Sequence, residues 1–537
     1  METNEHKSAG DQIRIQTFNN PYLQGSKNLS TDEEHILKVQ MMRKVDGIPM
    51  PLDLQLSAGD IVALAGDYYT KAGWGLQLKT PEGTDNHAVI TDPVSNQEYQ
   101  AFRAAYEDLA SPEVKKSNVE RIYAIEKSFL PSVLQQAVYA LVIPGYGNKL
   151  ENNEAHFSPW SLRAYIVGHR SALRMAQLAY QCRQLAEGQI TEEQLHSKLA
   201  ENLRNIRKNK SKYGFAEKSD LEIVVELGQR YHAMAVARDL FAMHFYSDHF
   251  AAGHLSRMGK LRTLLPERFK TLSLGSILVN NMHNEDNADS ITATNPFTPV
   301  LEGKDKQGEE PFAMLHEDNK VYGDGTYFER SNDENSNMLI NGMDNSLGDI
   351  ARLLHDGTMR EQDNYGGLTF LPEIDSGKPQ PQPLFIAKGD DIYYRKNPWI
   401  IKQLNPADYE KTLNDPASQE DYAKLTPLKA FFLVLRLRVG GLIYSTQTIA
   451  ANTEVPKPVS LQATQPDTQA AEKEKRSPPV RSDKVSWQKY AGGEVNNLLA
   501  THGFLRSKDK PAARLQEFEP ENTLGADQSV QHLILNS

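Results

Sequence analysis

From Leu221 to Phe250 the chain runs for thirty residues without a proline, and Val, Leu, Met and Phe recur at spacings of three and four. This periodicity predicts one long helix with Asp220 as its N-cap. Further helical patterns at 97–142, 159–186 and 191–209 make the chain mainly α up to about residue 355. The long helix also carries chemistry. His244 and Asp248 stand at i and i+4, so both side chains share one face. Gly253 marks the helix end and lets His254 turn back toward them. Phe241, Phe245, Phe250, Ala251 and Ala252 surround these polar groups, and burial without a partner would be costly. A cation held by His244, Asp248 and His254 is therefore favoured over a satisfied buried His–Asp pair.

The texture of the chain divides it. Residues 1–50 read as a polar, loosely ordered lead-in, and 51–360 as the helical, catalytic part. Residues 361–451 contain runs such as GLTFLPEI, PLFIAKGDDIYYR and FFLVLRLRVGGLIYS between Pro and Gly breakers, which predicts a smaller mixed or β-rich domain. Residues 452–485 are rich in Pro, Gln, Thr, Lys and Glu, the composition of a disordered linker. Residues 486–537 form a tail with short helices.

Composition closes several routes. The single cysteine, Cys182, excludes a disulfide within the chain and a thiolate zinc site, so any zinc must be held by His, Asp and Glu. The net charge of −11 argues against binding nucleic-acid phosphates. The most apolar run, Leu428 to Tyr444, is broken by Arg436 and Arg438 and reads as a buried strand or helix, not a membrane span. The N-terminus lacks the apolar core of a secretory signal, so export would use another route.

Two further clusters extend the first. NNEAHFSPWSLRAYIVGH carries His156 in a loop and His169 in the next helix. His169 has Tyr165, Ala172 and Leu173 on its face and points inward, as either a core residue or a ligand. NNMHNEDNADS packs His283, Glu285, Asp286 and Asn287 into five positions, the density of a metal-lining loop or of a polar turn. Asp324 sits in the tight turn YGDG. His232, twelve residues before His244 on the same helix, faces elsewhere and reads as structural, and His6 stands in no acidic or histidine constellation.

In order, SAGDIVALAGDYY, NNEAHFSPW…H, HFYSDHFAAGH, HNEDN and YGDG resemble the bacterial zinc metallophospholipase C family over roughly residues 50–355. The resemblance implies the helical phospholipase C and P1-type nuclease fold. It also implies hydrolysis of the glycerol-side phosphodiester of glycerophospholipids such as phosphatidylcholine, phosphatidylglycerol and phosphatidylinositol. It implies two zinc ions per chain, three at most: His169, His244 and Asp248 at one, and His254, His283 and Asp286 at another, with His156 and Asn152 as further candidates. Asp67 resembles an active-site acid, and Asp248 a bridging ligand with a catalytic role. Tyr68, Trp160, Phe245 and Phe250 are candidates for apolar contact with lipid, core packing being the alternative.

The resemblance further implies a secreted bacterial virulence effector acting on membranes, with no nucleic-acid partner. Its C-terminal tail would then be read by an export chaperone or the secretion machinery. Two rival readings are a P1-like zinc nuclease on the same scaffold and a non-catalytic effector that binds a host protein.

Overall fold

A computed structural model of the chain describes residues 3–13, 20–24, 36–66, 68–69, 86–126, 138–139, 143, 154–255, 258–294, 320–321, 323, 333–440, 444 and 446–451. The architecture is mainly helical, with a smaller β-containing region toward the C-terminus.

The described residues among the first fifty, expected as a loose lead-in, form a helix and strands that pack on the rest of the molecule. Helix α1 (Thr3–Asp11) is followed by strands β1 (Leu23–Gln24), β2 (Lys38–Val45) and β3 (Ile48–Ser57), an antiparallel sheet in the order β1-β2-β3. Asp46 and Gly47 both take positive φ between Val45 and Ile48, the two-residue turn whose twist suits a hairpin. Ser57 ends β3 and caps α2 (Ala58–Ala65), its hydroxyl accepting from the Asp60 amide in a capping box. Asp11 completes that helix start, its carboxylate accepting from Ser57 Oγ and the Gly59 amide, while Lys7 bridges to Asp60. A Cβ on Gly10 would meet Gly59 Cα at 2.6 Å, so these two glycines let α1 lie directly on α2. A helix that read as polar is thereby fixed by two small residues and a short ion network.

Helices α3 (Asn86–Thr91), α4 (Asn96–Leu109) and α5 (Lys116–Glu126) lead to the central pair, α6 (Trp160–Ala186) and, after α7 (Ser197–Lys208), α8 (Asp220–Asp248). The long apolar pattern forms α8 as expected, though Ser219 is its N-cap and Asp220 its first residue. The pair crosses closely because a Cβ on Gly168 would stand 2.4 Å from the Ala242 Cβ and 2.5 Å from Phe102. Leu173, Met175, Leu227, Tyr231, Leu240 and Phe241 are buried around this crossing, each contributing about 1.5–3 kcal/mol by leaving water. Cys182 is buried in the same core, as a packed thiol.

Beyond α8 come α9 (Ala252–Leu255), α10 (Met258–Arg268), α11 (Leu274–Asp289) and α12 (Asp333–Asp356). Strands β4 (Ile291–Thr294), β5 (Lys320–Val321) and β6 (Glu373–Ile374) form one small sheet. Strand β7 (Gln380–Pro381) pairs β10 (Ile400–Leu404), which runs parallel to β12 (Gln447–Ala450), whereas β8 (Phe385–Lys388), β9 (Asp391–Arg395) and β11 (Tyr422–Lys424) make an antiparallel sheet. Helices α13 (Pro406–Asn414) and α14 (Pro427–Gly440) complete the described region.

The expected strands FIAK and DIYYR are present, but GLTF forms a 3₁₀ turn and FFLVLRLRV is helical. A second core joins Leu261, Leu265, Leu278 and Met282 to Phe385, Ile392 and Leu433, so it bridges the expected 360/361 division. Among the described residues no helix is long and apolar enough to cross a membrane.

Candidate metal centre

Five polar side chains meet, buried, at the end of α8. Helix α1 supplies His6, the 3₁₀ turn Glu154–His156 supplies His156, the last turn of α8 supplies His244 and Asp248, and α9 supplies His254. Asp248 is the hub. Its Oδ2 lies 2.7 Å from His156 Nδ1 and 3.4 Å from His244 Nε2; its Oδ1 lies 3.1 Å from His254 Nδ1 and 3.3 Å from His6 Nε2. His244 Nε2 is also 3.1 Å from His156 Nδ1, and the His6 and His244 rings stack at 4.1 Å.

Hydrogen bonds behind the rings decide which nitrogen faces the centre. His244 donates Nδ1–H to the Val62 carbonyl of α2 at 2.8 Å, leaving the Nε2 lone pair toward His156 and Asp248. Ser247 Oγ donates to the His244 carbonyl, so it must accept from His6 Nδ1–H at 2.7 Å. His6 Nε2 is then a buried lone pair with no hydrogen-bond donor facing it. His254 directs Nδ1–H to the His156 carbonyl at 2.9 Å. In His244 and His6 the anchored nitrogen is the far one, which is how proteins orient histidines toward a metal, whereas the anchored nitrogen of His254 is the one that faces Asp248.

The donor set could hold a metal ion. Four ligands at zinc–nitrogen and zinc–oxygen distances of about 2.0–2.1 Å form a tetrahedron with edges of about 3.3 Å. The separations of His6 and His244 from Asp248, 3.3 and 3.4 Å to its two carboxylate oxygens, are near that edge length, whereas His156 lies closer, at 2.7 Å. His6, His244 and Asp248 offer donor atoms all within 4.8 Å of one another. The electrostatics agree. Burial, reinforced by His6, holds the His244 imidazole well below its ordinary range, and burial takes His254 down to about 4. Burial works to raise the Asp248 carboxyl, but His254 and the other imidazoles outweigh it, so the acid stays ionised well below the usual carboxylate range. A neutral His244 beside an ionised carboxylate is the protonation state a divalent cation requires.

His283 extends the centre. It lies on α11, a helix where a loop was expected, and its ring is 4.9 Å from that of His254. One turn on, Asn287 accepts from the Gly253 amide at 2.6 Å, locking α9 onto α11. A Cβ on Gly253 would meet Asn287 Oδ1 and His283 Cδ2, each at 2.8 Å. Asp286 is buried beside them. Glu285 points to the other side of the helix, where its carboxylate takes a two-pronged bond from Arg395, and burial still pushes it up to about 7.

His169 does not join this group, correcting its expected place in the first metal set. Its Nδ1 lies 2.7 Å from Asp239, its Nε2 3.4 Å from Asp349, and Ser346 Oγ bonds both it and Asp239. Asp239 and Asp248 are nine residues apart, two and a half turns, so the two clusters lie on opposite sides of α8. His156, the weaker candidate, takes the ligand position instead.

The lipid-contact candidates are also revised. Phe245 is buried and packs edge-on to His156 and His244, Phe250 is buried against Tyr246, and Tyr68 is buried with its hydroxyl on Thr3. These three are core. Trp160 is half-buried at the start of α6. Asp67, Asn152 and Asp324 lie outside the described residues, although their neighbours Gly66 and Gly323 do not. A Cβ on Gly66 would fall 1.7 Å from His244 Nε2, and one on Gly323 would fall 2.2 Å from Asn287 Oδ1.

His6 is the site residue that sequence reasoning passed over. Its signal was its company: His6, Ala9, Gly10 and Ile13 form one small, apolar helical face in an otherwise polar stretch. No protein-family model, curated protein or solved structure matches this chain.

Proposed function

We propose that this protein is a zinc-dependent phospholipase C that cleaves the glycerol-side phosphodiester of glycerophospholipids. The reading is carried by the buried centre of His6, His156, His244, Asp248 and His254, in which the tautomers of His6 and His244 turn their Nε2 lone pairs toward Asp248. The ordered motifs around it supply the lipid-directed part. His6, His244 and Asp248, with His156 beside them, would hold one zinc; His254 and His283, with Asp286 near, would hold a second. Zinc in such a site makes water nucleophilic near neutral pH and neutralises charge on a phosphodiester.

The residues of the chain do the rest. The Val62 carbonyl and Ser247 fix the imidazoles, and Phe157, stacked on His254 at 4.6 Å, and Phe245 keep their surroundings apolar. Asp67, next in sequence to Gly66, keeps in this proposal the role of proton donor to the leaving diacylglycerol alkoxide. Virulence-effector export through the tail remains part of the same reading.

Purified protein incubated with zinc and mixed phospholipids should yield diacylglycerol and phosphorylated headgroup, and His244→Ala or a chelator should abolish both. Release of free fatty acid, or no turnover with zinc supplied, overturns the proposal. A parallel arm with single-stranded DNA distinguishes a P1-like nuclease, and inactivity in both arms favours the non-catalytic reading.

A further inference from the structure

Helix α14 is apolar on two sides. Ala430, Leu433, Val434 and Gly440 are buried, the first three in the second core with α10, α11 and the β8–β9 hairpin. The opposite face carries Leu428, Phe431, Phe432, Leu435 and Val439, each between 44% and 67% exposed. Their spacing of i, i+3, i+4, i+7 and i+11 makes one continuous stripe. They are five of the eight large hydrophobics exposed among the described residues, so exposed apolar surface is concentrated here. Contiguous exposure of this kind marks an interaction surface.

The borders of the stripe are basic. At about 100° per residue, Lys429 and Arg436 lie along one edge and Arg438 along the other. All three are exposed, and the helix contains no acid. In a chain of net charge −11 this is a local reversal of sign.

We propose that α14 docks the protein on an anionic lipid bilayer, lying in the plane of the interface with Phe431, Phe432 and Leu435 at the acyl boundary. An apolar stripe edged by Lys and Arg is the pattern of a helix that rests on such a surface. Charge decides between this occupant and two others. Residues 452–537 contain eleven basic and eleven acidic residues, so that segment offers no net charge to match the borders. A second copy placed stripe to stripe about a two-fold axis would bring basic border against basic border. Anionic lipid complements both the stripe and its edges. Helix α14 packs on α11, the helix that carries His283. Docking there deepens the lipid-directed reading above but stands on a different element.

The test therefore reads sedimentation and not turnover. Full-length protein is sedimented with vesicles of phosphatidylcholine alone and with about one third phosphatidylserine. Binding should be at least about tenfold tighter to the anionic vesicles and should weaken as salt rises from about 0.1 M to about 0.5 M. Phe431→Ser with Phe432→Ser, and separately Lys429→Glu with Arg436→Glu and Arg438→Glu, should each reduce binding about tenfold or more. All five positions are exposed, so both variants should keep the far-ultraviolet spectrum of the parent. His244→Ala should bind vesicles like the parent, which keeps loss of docking distinct from loss of catalysis. The proposal is overturned if either variant binds like the parent, if the parent ignores both vesicles, or if the parent is a dimer that the serine variant converts to monomer.

Discussion

Gly66 closes the metal centre by having no side chain. A Cβ there would stand 1.7 Å from His244 Nε2 and 2.4 Å from His156 Cε1, and the His244 ring is held from behind by the Val62 carbonyl. Gly66→Ala is expected to displace His244, cost about 1–3 kcal/mol of stability and lower zinc occupancy, read by elemental analysis after dialysis. Ser247 tests the orientation argument more gently. It touches no proposed metal position, yet it alone fixes the His6 tautomer, with Oγ 2.7 Å from Nδ1. Ser247→Ala should weaken zinc affinity about 10- to 100-fold in a chelator competition while leaving the melting temperature of the metal-free protein nearly unchanged. Equal affinity in the variant would mean that His6 is not a ligand. Asp248→Asn should lose the metal outright, because the hub carboxylate is the one anionic donor beside His6 and His244.

At the scale of elements, His169 clamps three helices: it sits on α6, Asp239 on α8, and Asp349 with Ser346 on α12. Burial alone would lower this imidazole, but Asp239 and then Asp349 overcome it and raise it to about 9. The sign follows from the raised value. The unfolded chain binds the proton with a value near 6.5, so the clamp contributes fully below that pH and is lost as pH rises through 9. The contribution is on the order of 3 kcal/mol, since the group is wholly buried. Denaturant unfolding between pH 6 and 10 should show that loss, and His169→Gln should flatten it. A parent profile as flat as the variant's would refute the clamp.

The same elements show what the sequence could and could not reveal. The period of α8 and the i, i+4 pair His244–Asp248 are local, and both were legible. His169 and His156 look alike in sequence, each near an aromatic and an apolar helix. Which one meets His244 depends on the rotation of α6 against α8, and only the packing at Gly168 fixes that. FFLVLRLRV satisfies a strand pattern and a helix pattern equally, and Leu433 and Val434 in the second core decide for the helix. His6 was hidden because its partners lie more than two hundred residues away.

For the whole molecule, the centre is a staple between distant parts of the chain. It joins α1, the turn at His156, α8 and α9, and through Val62 it reaches α2. If zinc binds as proposed, it binds the folded arrangement and finds no equivalent preformed site in the unfolded chain, so it should stabilise the fold by mass action. At a free concentration one hundred times the dissociation constant that amounts to about 2.7 kcal/mol. For a chain of 537 residues, an unfolding entropy of about 2.1 cal/mol/K per residue converts it to a rise of about 2 °C in melting temperature. Removing metal with a chelator should reverse that shift, and readdition of zinc should restore it. The shift should also be local in origin: amide exchange in α1 and at residues 154–156 should rise on chelation, while α7, remote from every ligand, should not change. If chelation leaves α1 protected, Lys7, Asp11 and the Gly10–Gly59 contact hold the helix unaided, and His6 is brought to the centre by packing and not by metal.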